Sequence, residues 1–257
     1  MTLYDTIGRH YTQTRKCDPR IATALLGILK SASTIADIVA GTGSYALFLA
    51  EQGYRVLAVE PSATMRSQAV PHSRIEWFDG FAENLPLPDR SVEAAIVMLT
   101  LHHFRDHQQA LREIGRVTGN GQIVLFTADP VVAARFWLVD YFPAWIEDLN
   151  ATFLPIAELS AAIATTMKAT VNVAPFLLPQ DLTDSFAAVG WARPELYLDN
   201  TIRSGISSFA KFYPDELDTG LSQLRRDLDS GAWDQKYGTL RQQQQYDAGY
   251  RFVFTSG

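Results

Sequence analysis

The sequence is short of cysteine, of cationic runs and of long apolar stretches, and each shortage excludes something. Among 257 residues there is one cysteine, Cys17. No intramolecular disulfide can form, and the expected setting is a reducing compartment, the cytoplasm. Lys and Arg number 22 against 28 Asp and Glu, a net charge of −6, and no segment is dense in cations. Affinity for nucleic acid draws on phosphate neutralisation, so no nucleic-acid partner is expected. The longest buried-looking run, Ala94–Leu101, is far too short to cross a bilayer. Met1–His10 has no apolar run behind a basic region, so neither a signal peptide nor a membrane partner is expected. There is no internal repeat. Gln242–Gln245 is the one biased patch, expected on a solvated helix face.

What is present is a large apolar fraction, 47%, enough for one large α/β domain with an elaboration. Asp18-Pro19 reads as an N-cap followed by proline at the first helical position. Ile21, Leu25, Ile28 and Leu29 then share one helix face. Strands are expected at 34–40, 55–59, 74–78, 93–98 and 122–127. Between them lie a helix carrying Leu47, Phe48 and Leu49 that stops at Gly53, and one capped by Ser62 that carries Met65. A third is capped by Asp106, presents Leu111, Ile114 and Val117, and ends at Gly119. This alternation implies a parallel sheet with right-handed crossovers. The regularity ends at Asp129-Pro130. From there to Phe212 aromatics accumulate, among them Phe136, Trp137, Tyr141, Trp145, Phe153, Phe186, Trp191 and Tyr197. Val171–Leu178 is a candidate sixth strand, and Gly249–Phe254 a last strand at an antiparallel edge. The middle portion reads as a cap over the carboxyl ends of the strands, where ligands of such sheets bind. Most of its aromatics are expected in core packing.

The densest signal is Ala36-Asp37-Ile38-Val39-Ala40-Gly41-Thr42-Gly43-Ser44, with Glu60 at the tip of the next strand. Glycines let a backbone approach a ligand closely, and an acid at that tip can accept hydrogen bonds from both hydroxyls of a ribose. Gly41 to Ala46 fits G-x-G-x-x-A, so NAD is one candidate. Three features point elsewhere. Asp37 lies inside the first strand, where it can reach an amino group or orient the glycine loop. Gly80-Phe81-Ala82-Glu83-Asn84-Leu85-Pro86 suits an adenine edge gripped by main chain. The fourth strand runs out into Leu101-His102-His103-Phe104.

Taken together, Tyr4 to Asp129 resembles a class I S-adenosylmethionine-dependent methyltransferase of the ubiquinone/menaquinone-methyltransferase-like group. The resemblance implies a Rossmann-like, seven-stranded, mostly parallel α/β sheet with helices on both faces and an α-rich cap insertion. It implies a cofactor-binding core with an N-terminal lid over 1–129, a cap over 130–212, and a completing segment over 213–257. S-adenosylmethionine would be the cofactor and S-adenosylhomocysteine its product. By resemblance, Asp37, Ala40, Gly41, Thr42 and Gly43 form the loop beside the methionine part. Glu60 binds the ribose, Pro61 leads to Met65 against the adenine, and Phe81, Ala82 and Glu83 meet the adenine edge. Met98 and Leu99 line the methionine side. Tyr4-Asp5-x-Ile7-Gly8-x-x-Tyr11-x-x-x-Arg15 resembles a lid segment whose Tyr11 and Arg15 contact the cofactor. Trp191 to Asp199 resembles a segment of uncharacterised members and brings no role with it.

Two positions depart from the family pattern. Val39 stands where a further glycine is usual, and since a β-branched residue lacks glycine's freedom, ordinary strand geometry is expected there. Phe81 stands where an acid is frequent, so stacking would replace a polar contact. His102, His103 and His107 invite a metal reading, but adjacent histidines on an extended segment point opposite ways and no Cys or Glu spacing supports a site, so no metal is expected. His103 is the candidate general base. The expected reaction is in-line methyl transfer to a small, partly apolar acceptor, by a monomer or homodimer. An NAD-dependent oxidoreductase and a non-catalytic adenosyl-binding protein remain the alternatives.

Overall fold

Apolar parallel strands set the frame of the computed structural model, which describes residues 11–29, 32–119 and 121–256. The expected lid residues Tyr4, Asp5, Ile7 and Gly8 lie outside the described residues. Strands β1 (Thr34–Ile38), β2 (Arg55–Val59), β3 (Ile75–Phe78), β4 (Ala94–Met98) and β5 (Gln122–Ala128) pair in parallel. All five residues of β4 are buried, as a strand covered on both faces requires. β6 (Val171–Pro175) and β9 (Tyr250–Thr255) complete a seven-stranded sheet of order β3-β2-β1-β4-β5-β9-β6. A separate ribbon pairs β7 (Leu178–Pro179) with β8 (Gln245–Tyr246).

The last strand differs from its expected place. β9 is antiparallel, as expected, but it lies inside the sheet, hydrogen-bonded to β5 on one side and β6 on the other. Its residues are buried on both faces, whereas β6 is half exposed and ends in Pro175. Proline cannot donate to a ladder, which suits β6 to the edge. A dinucleotide-binding sheet runs 3-2-1-4-5-6 with all strands parallel; an antiparallel strand between the fifth and sixth positions is a different topology.

Side chains alternate between two cores, as strand geometry dictates. Ile35, Val124 and Phe126 face one, with Ile21 and Leu25 of α2 (Pro19–Ile28) and Tyr45 and Leu49 of α3 (Ser44–Glu51). Short α1 (Tyr11–Thr14) precedes α2, and α4 (Ala63–Arg66) follows β2. Ala36, Ile123 and Leu125 face the other core, with α5 (His107–Thr118) and a later helix, α8 (Ile156–Met167). Asp106 caps α5 by accepting from Gln109 N–H at 2.9 Å, and Gly119 ends it in the left-handed region. Chain 130–237 supplies α6 (Pro130–Ala133), α7 (Ala144–Thr152), α8, α9 (Asn200–Ser204), α10 (Pro214–Ser230) and α11 (Ala232–Tyr237).

The aromatics beyond Asp129 extend the first core. Trp191, Trp233 and Tyr197 are fully buried. Trp137 Nε1 donates to Trp191 O at 2.9 Å, Trp191 Nε1 to Pro179 O at 3.1 Å, and Tyr197 Oη to Ala187 O at 2.8 Å. The 191–199 segment thus has a packing role. Gln242–Gln245 is exposed, but it leaves a 3-10 turn and enters β8. It does not lie along a helix face.

Asp18 ties α2 to this region. Its buried carboxylate accepts from Arg20 N–H at 2.9 Å, Arg20 Nη2 at 2.7 Å, and both the N–H and hydroxyl of Thr183 at 3.0 Å. Burial alone would raise its pKa, but these donors hold it down at about 2. A carboxyl held below its unfolded value contributes fully above that value and is lost as pH falls through the folded one. Asp18→Ala is therefore expected to cost about 3 kcal/mol in urea unfolding at neutral pH. The gap from wild type should narrow between pH 3.8 and about 2.

Candidate active site

In a parallel sheet the carboxyl ends of the strands open on one side, and a crevice forms where neighbouring crossovers part. At the end of β1 the chain turns sharply. Val39 has φ 57°, Gly41 62° and Gly43 76°. The ordinary strand geometry expected at Val39 is thus corrected: it lies in the left-handed region. The reason is local. Ala40 N–H still donates to Val59 O at 3.0 Å, so the turn has to be made at residue 39, at a cost of about 1–2 kcal/mol for an L-residue. Gly43 opens α3. A Cβ there would lie 2.7 Å from Trp77 Cζ2, so glycine is required by contact as well as by φ. Trp77, on β3, is a neighbour that the sequence pattern does not reveal.

Glu60 holds this loop. Its side chain is 3% exposed; Oε2 accepts Gly41 N–H at 2.9 Å and Oε1 accepts Ser62 N–H at 2.8 Å. Asp37 sits beside it at the end of β1. Burial, then the negative charge of Glu60, push its pKa up to about 7, opposed by a hydrogen bond from the Ala46 backbone. A cationic group entering the crevice would relieve both carboxylates. Ser62 caps α4 through Met65 N–H at 3.3 Å, and Met65 is buried with its methyl 3.4 Å from where a Gly41 Cβ would stand. Pro61 and Thr42 join the same turn region.

The loop after β3 divides its residues between two tasks. Phe81 is 43% exposed, with the Arg105 guanidinium 5.2 Å from its ring centroid. Ala82 is buried. Glu83 has its carboxylate committed to Arg105 N–H at 2.5 Å and Asp106 N–H at 3.3 Å, so it fastens this loop to the start of α5. Met98 ends β4 buried, and Leu99 follows with φ 58° while its N–H donates to Phe126 O at 2.8 Å. A second L-residue in the left-handed region therefore stands at the neighbouring strand end. Tyr11 opens α1. Arg15 lines a hollow with Thr42, Gly43 and Gln68 and also the larger cavity below, with Nε 2.6 Å from Asp184 Oδ1. Asp184 is a partner that sequence reading missed.

Beyond Leu99 lies a cavity of about 780 Å³, counting its mouth. Ala128 and Leu99 form its floor at the strand ends; Phe136, Trp145, Phe153, Phe186 and Tyr250 are among its walls. Lys211 lines it too, with Nζ on Asp148 at 2.5 Å. The two histidines do not diverge as an extended segment would make them. Leu101–His103 is a 3-10 turn, and the rings stand 3.9 Å apart between centroids. The cavity is lined by His102; His103, the expected base, is not among its lining residues. Burial, then Lys211 and Arg15, lower His103 to about 4. No group of three or more His, Cys, Asp or Glu suited to a metal occurs among the described residues.

A carboxyl whose folded pKa is raised destabilises the fold once ionised. Asp37→Asn is therefore expected to match wild type near pH 3.8 and to gain stability progressively as pH rises through about 7. The gain should be on the order of 4 kcal/mol above that. Urea unfolding across this range checks it, and titration with an adenosyl ligand should show weakened binding in the same variant.

Comparison with known proteins agrees with this geometry. Residues 36–126 match the methyltransferase domain family. The ubiquinone/menaquinone biosynthesis C-methyltransferase of Rubrivivax gelatinosus is 34% identical over 137 residues, 52% of this chain and 51% of that protein. The chain spans about half the length of the curated relatives it matches. A protein of Anabaena variabilis, described as a candidate methyltransferase from an antibiotic biosynthesis pathway, is 48% identical. Its crystal structure superposes with a TM-score of 0.91 over 95% of this chain and 100% of that one. Phosphoethanolamine N-methyltransferase 2 of Haemonchus contortus, solved with S-adenosyl-L-methionine, shares the fold alone: 16% identity, TM-score 0.55, 90% of this chain and 51% of that one. The near-complete match at 48% identity, on a seven-stranded sheet with its glycine loop and acid in place, makes this chain a member of the class I S-adenosylmethionine-dependent methyltransferases.

Proposed function

We propose that the protein transfers the methyl group of S-adenosylmethionine to a small, partly apolar molecule held in the aromatic cavity. The observation that carries this is the cavity's position: Leu99, at the crevice end of β4, is part of its lining. The cofactor fits the residues present. Glu60 offers a carboxylate suited to a ribose diol, Asp37 is a buried acid that a cationic amino group would relieve, and Gly41 and Gly43 leave the close approach a nucleoside needs. Asp37, Ala40 and Thr42 would hold the amino-acid part, with Tyr11 and Arg15 above it. Met65, Phe81 and Ala82 would flank the base. The cofactor supplies an electrophilic sulfonium methyl.

The chain's own task is alignment and exclusion of water. The cavity walls position the acceptor against the floor at Leu99 and Ala128. A base is needed only for an acceptor that must lose a proton. The low cation content supports a small-molecule acceptor over nucleic acid. No described helix is long and apolar enough to cross a membrane. The presence of one cysteine, Cys17, supports a reducing, cytoplasmic setting. We take the working form to be a monomer or homodimer.

Calorimetric titration with S-adenosylmethionine, S-adenosylhomocysteine and NAD tests the reading. Micromolar binding of the two adenosyl ligands is expected, without binding of NAD. Glu60→Ala should weaken it about 100-fold, through loss of both the ribose acceptor and the Gly41 and Ser62 bonds. Binding of NAD alone would overturn the proposal.

A further inference from the structure

The charged side chains on the cavity wall are of one sign. Arg15 and Lys211 line it, and among the described residues no Asp or Glu does. Their partner acids, Asp184 and Asp148, have side chains 3% and 12% exposed and take no part in the lining. Arg15 is itself largely buried and borders the cofactor hollow as well. Lys211 differs. Its side chain is 40% exposed although it lines the cavity, so it stands at the rim where the cavity meets solvent. Two bonds fix its ammonium there, to Asp148 Oδ1 at 2.5 Å and to the Thr152 hydroxyl at 3.3 Å. Thr152, another lining residue, donates in turn to Asp148 Oδ1 at 3.0 Å. An ammonium has three N–H donors, so one is left without a partner among the described residues. A second donor shares the same edge. Lys211 closes the 3-10 helix Ser207–Lys211, and in such a helix side chains three apart eclipse. Ser208 therefore stands beside Lys211, and both line the cavity.

We infer that the methyl acceptor carries one negative charge, a carboxylate, on its apolar body, and that Lys211 and Ser208 bind that carboxylate at the cavity rim. The inference rests on the methyltransferase reading above and names the acceptor class of that site. With the carboxylate at the rim, the apolar body runs inward past Phe136, Trp145 and Phe186, and the opposite end reaches the floor at Leu99 and Ala128. The head group thus decides which end of the acceptor meets the methyl donor. One free ammonium N–H and one hydroxyl match the two oxygens of a carboxylate; a phosphate dianion would ask for more donors than this edge holds. The field on the wall has the same sign. At His102, burial first, then His103, Lys211 and Arg15, lower the pKa, so the cations are felt inside the cavity. Because Asp148 and Thr152 already hold the ammonium in place, little ordering is left to be done on binding.

The test uses 2-naphthoate and its neutral counterpart 2-naphthamide as probes, by calorimetry with S-adenosylhomocysteine present. Wild type should bind the carboxylate about tenfold more tightly than the amide. Raising sodium chloride from about 0.05 to about 0.5 M should shrink that preference to about threefold, since a rim charge is screened. Lys211→Met should bind the two probes equally, with the amide and S-adenosylhomocysteine held as in wild type, which also reports an intact fold. That change strands the Asp148 carboxylate, so the double variant Lys211→Met/Asp148→Asn, which removes both charges, is measured beside it and should lose the preference equally. Lys211→Arg should keep most of it. Asp148→Asn alone lifts the competing acid and should raise the preference about threefold. A wild type that binds S-adenosylhomocysteine but does not prefer the carboxylate, whether it binds both probes or neither, overturns the inference and leaves the cofactor reading standing. So does a double variant that keeps the preference. A wild type that fails to bind S-adenosylhomocysteine overturns the cofactor reading itself.

Discussion

One buried side chain ties the glycine turn after β1 to the chain beyond β2. Glu60 spends one carboxylate oxygen on Gly41 N–H and the other on Ser62 N–H, so a single acid at a strand tip sets both the glycine turn and the entry to α4. The arrangement is costly, because the carboxylate is buried beside a second one, Asp37, and like charges in a dry site disfavour each other. The backbone donors compensate Glu60, whereas Asp37 is left with its pKa raised. The crevice is therefore short of positive charge, and a cationic group entering it would relieve both carboxylates.

Two strand ends share an unusual backbone. Val39 and Leu99 both adopt positive φ at the ends of β1 and β4, which are neighbours in the sheet. Strain of this kind persists only where surrounding hydrogen bonds over-determine it, and here Ala40 N–H to Val59 O and Leu99 N–H to Phe126 O do so. The two turns bend the chain away from the sheet at the place where crevice and cavity meet, and Arg15 borders both hollows.

Much of this was legible in the sequence, for identifiable reasons. Buried parallel strands are apolar runs, so β2, β4 and β5 stand out, and the caps Asp18, Ser62 and Asp106 mark helix starts through their own hydrogen bonds. The parallel alternation of strands and helices, the glycine loop and Glu60 follow from local pattern, whereas the seven-stranded sheet is what the family resemblance implies. What local pattern does not carry is pairing across the chain. β9 reads as a strand, but nothing in Gly249–Phe254 says that β6 will lie outside it. Val39 reads as a strand residue because propensity favours that, and tertiary hydrogen bonds override it. His102 and His103 read as opposed because the segment looks extended; a 3-10 turn brings them together. The partners Asp184 and Asp148 are too distant in sequence for any spacing rule to associate them with Arg15 and Lys211.

The placement of β9 bears on how the chain assembles. β6 has one neighbour in the sheet, β9, and α9, α10 and α11 lie between the two in the chain. During synthesis from the N-terminus, β1 to β5 can pair as they emerge, but β6 has to wait for Tyr250–Thr255. Until then the outer edge of β5 stays open. Ladders closed over such separations are slow to form and leave strand edges exposed to other chains. The closing event also buries Phe252 against Phe126, with ring centroids 4.7 Å apart. Tyr250–Thr255 thus acts as a keystone between strands made much earlier, and its loss would part β6 from β5.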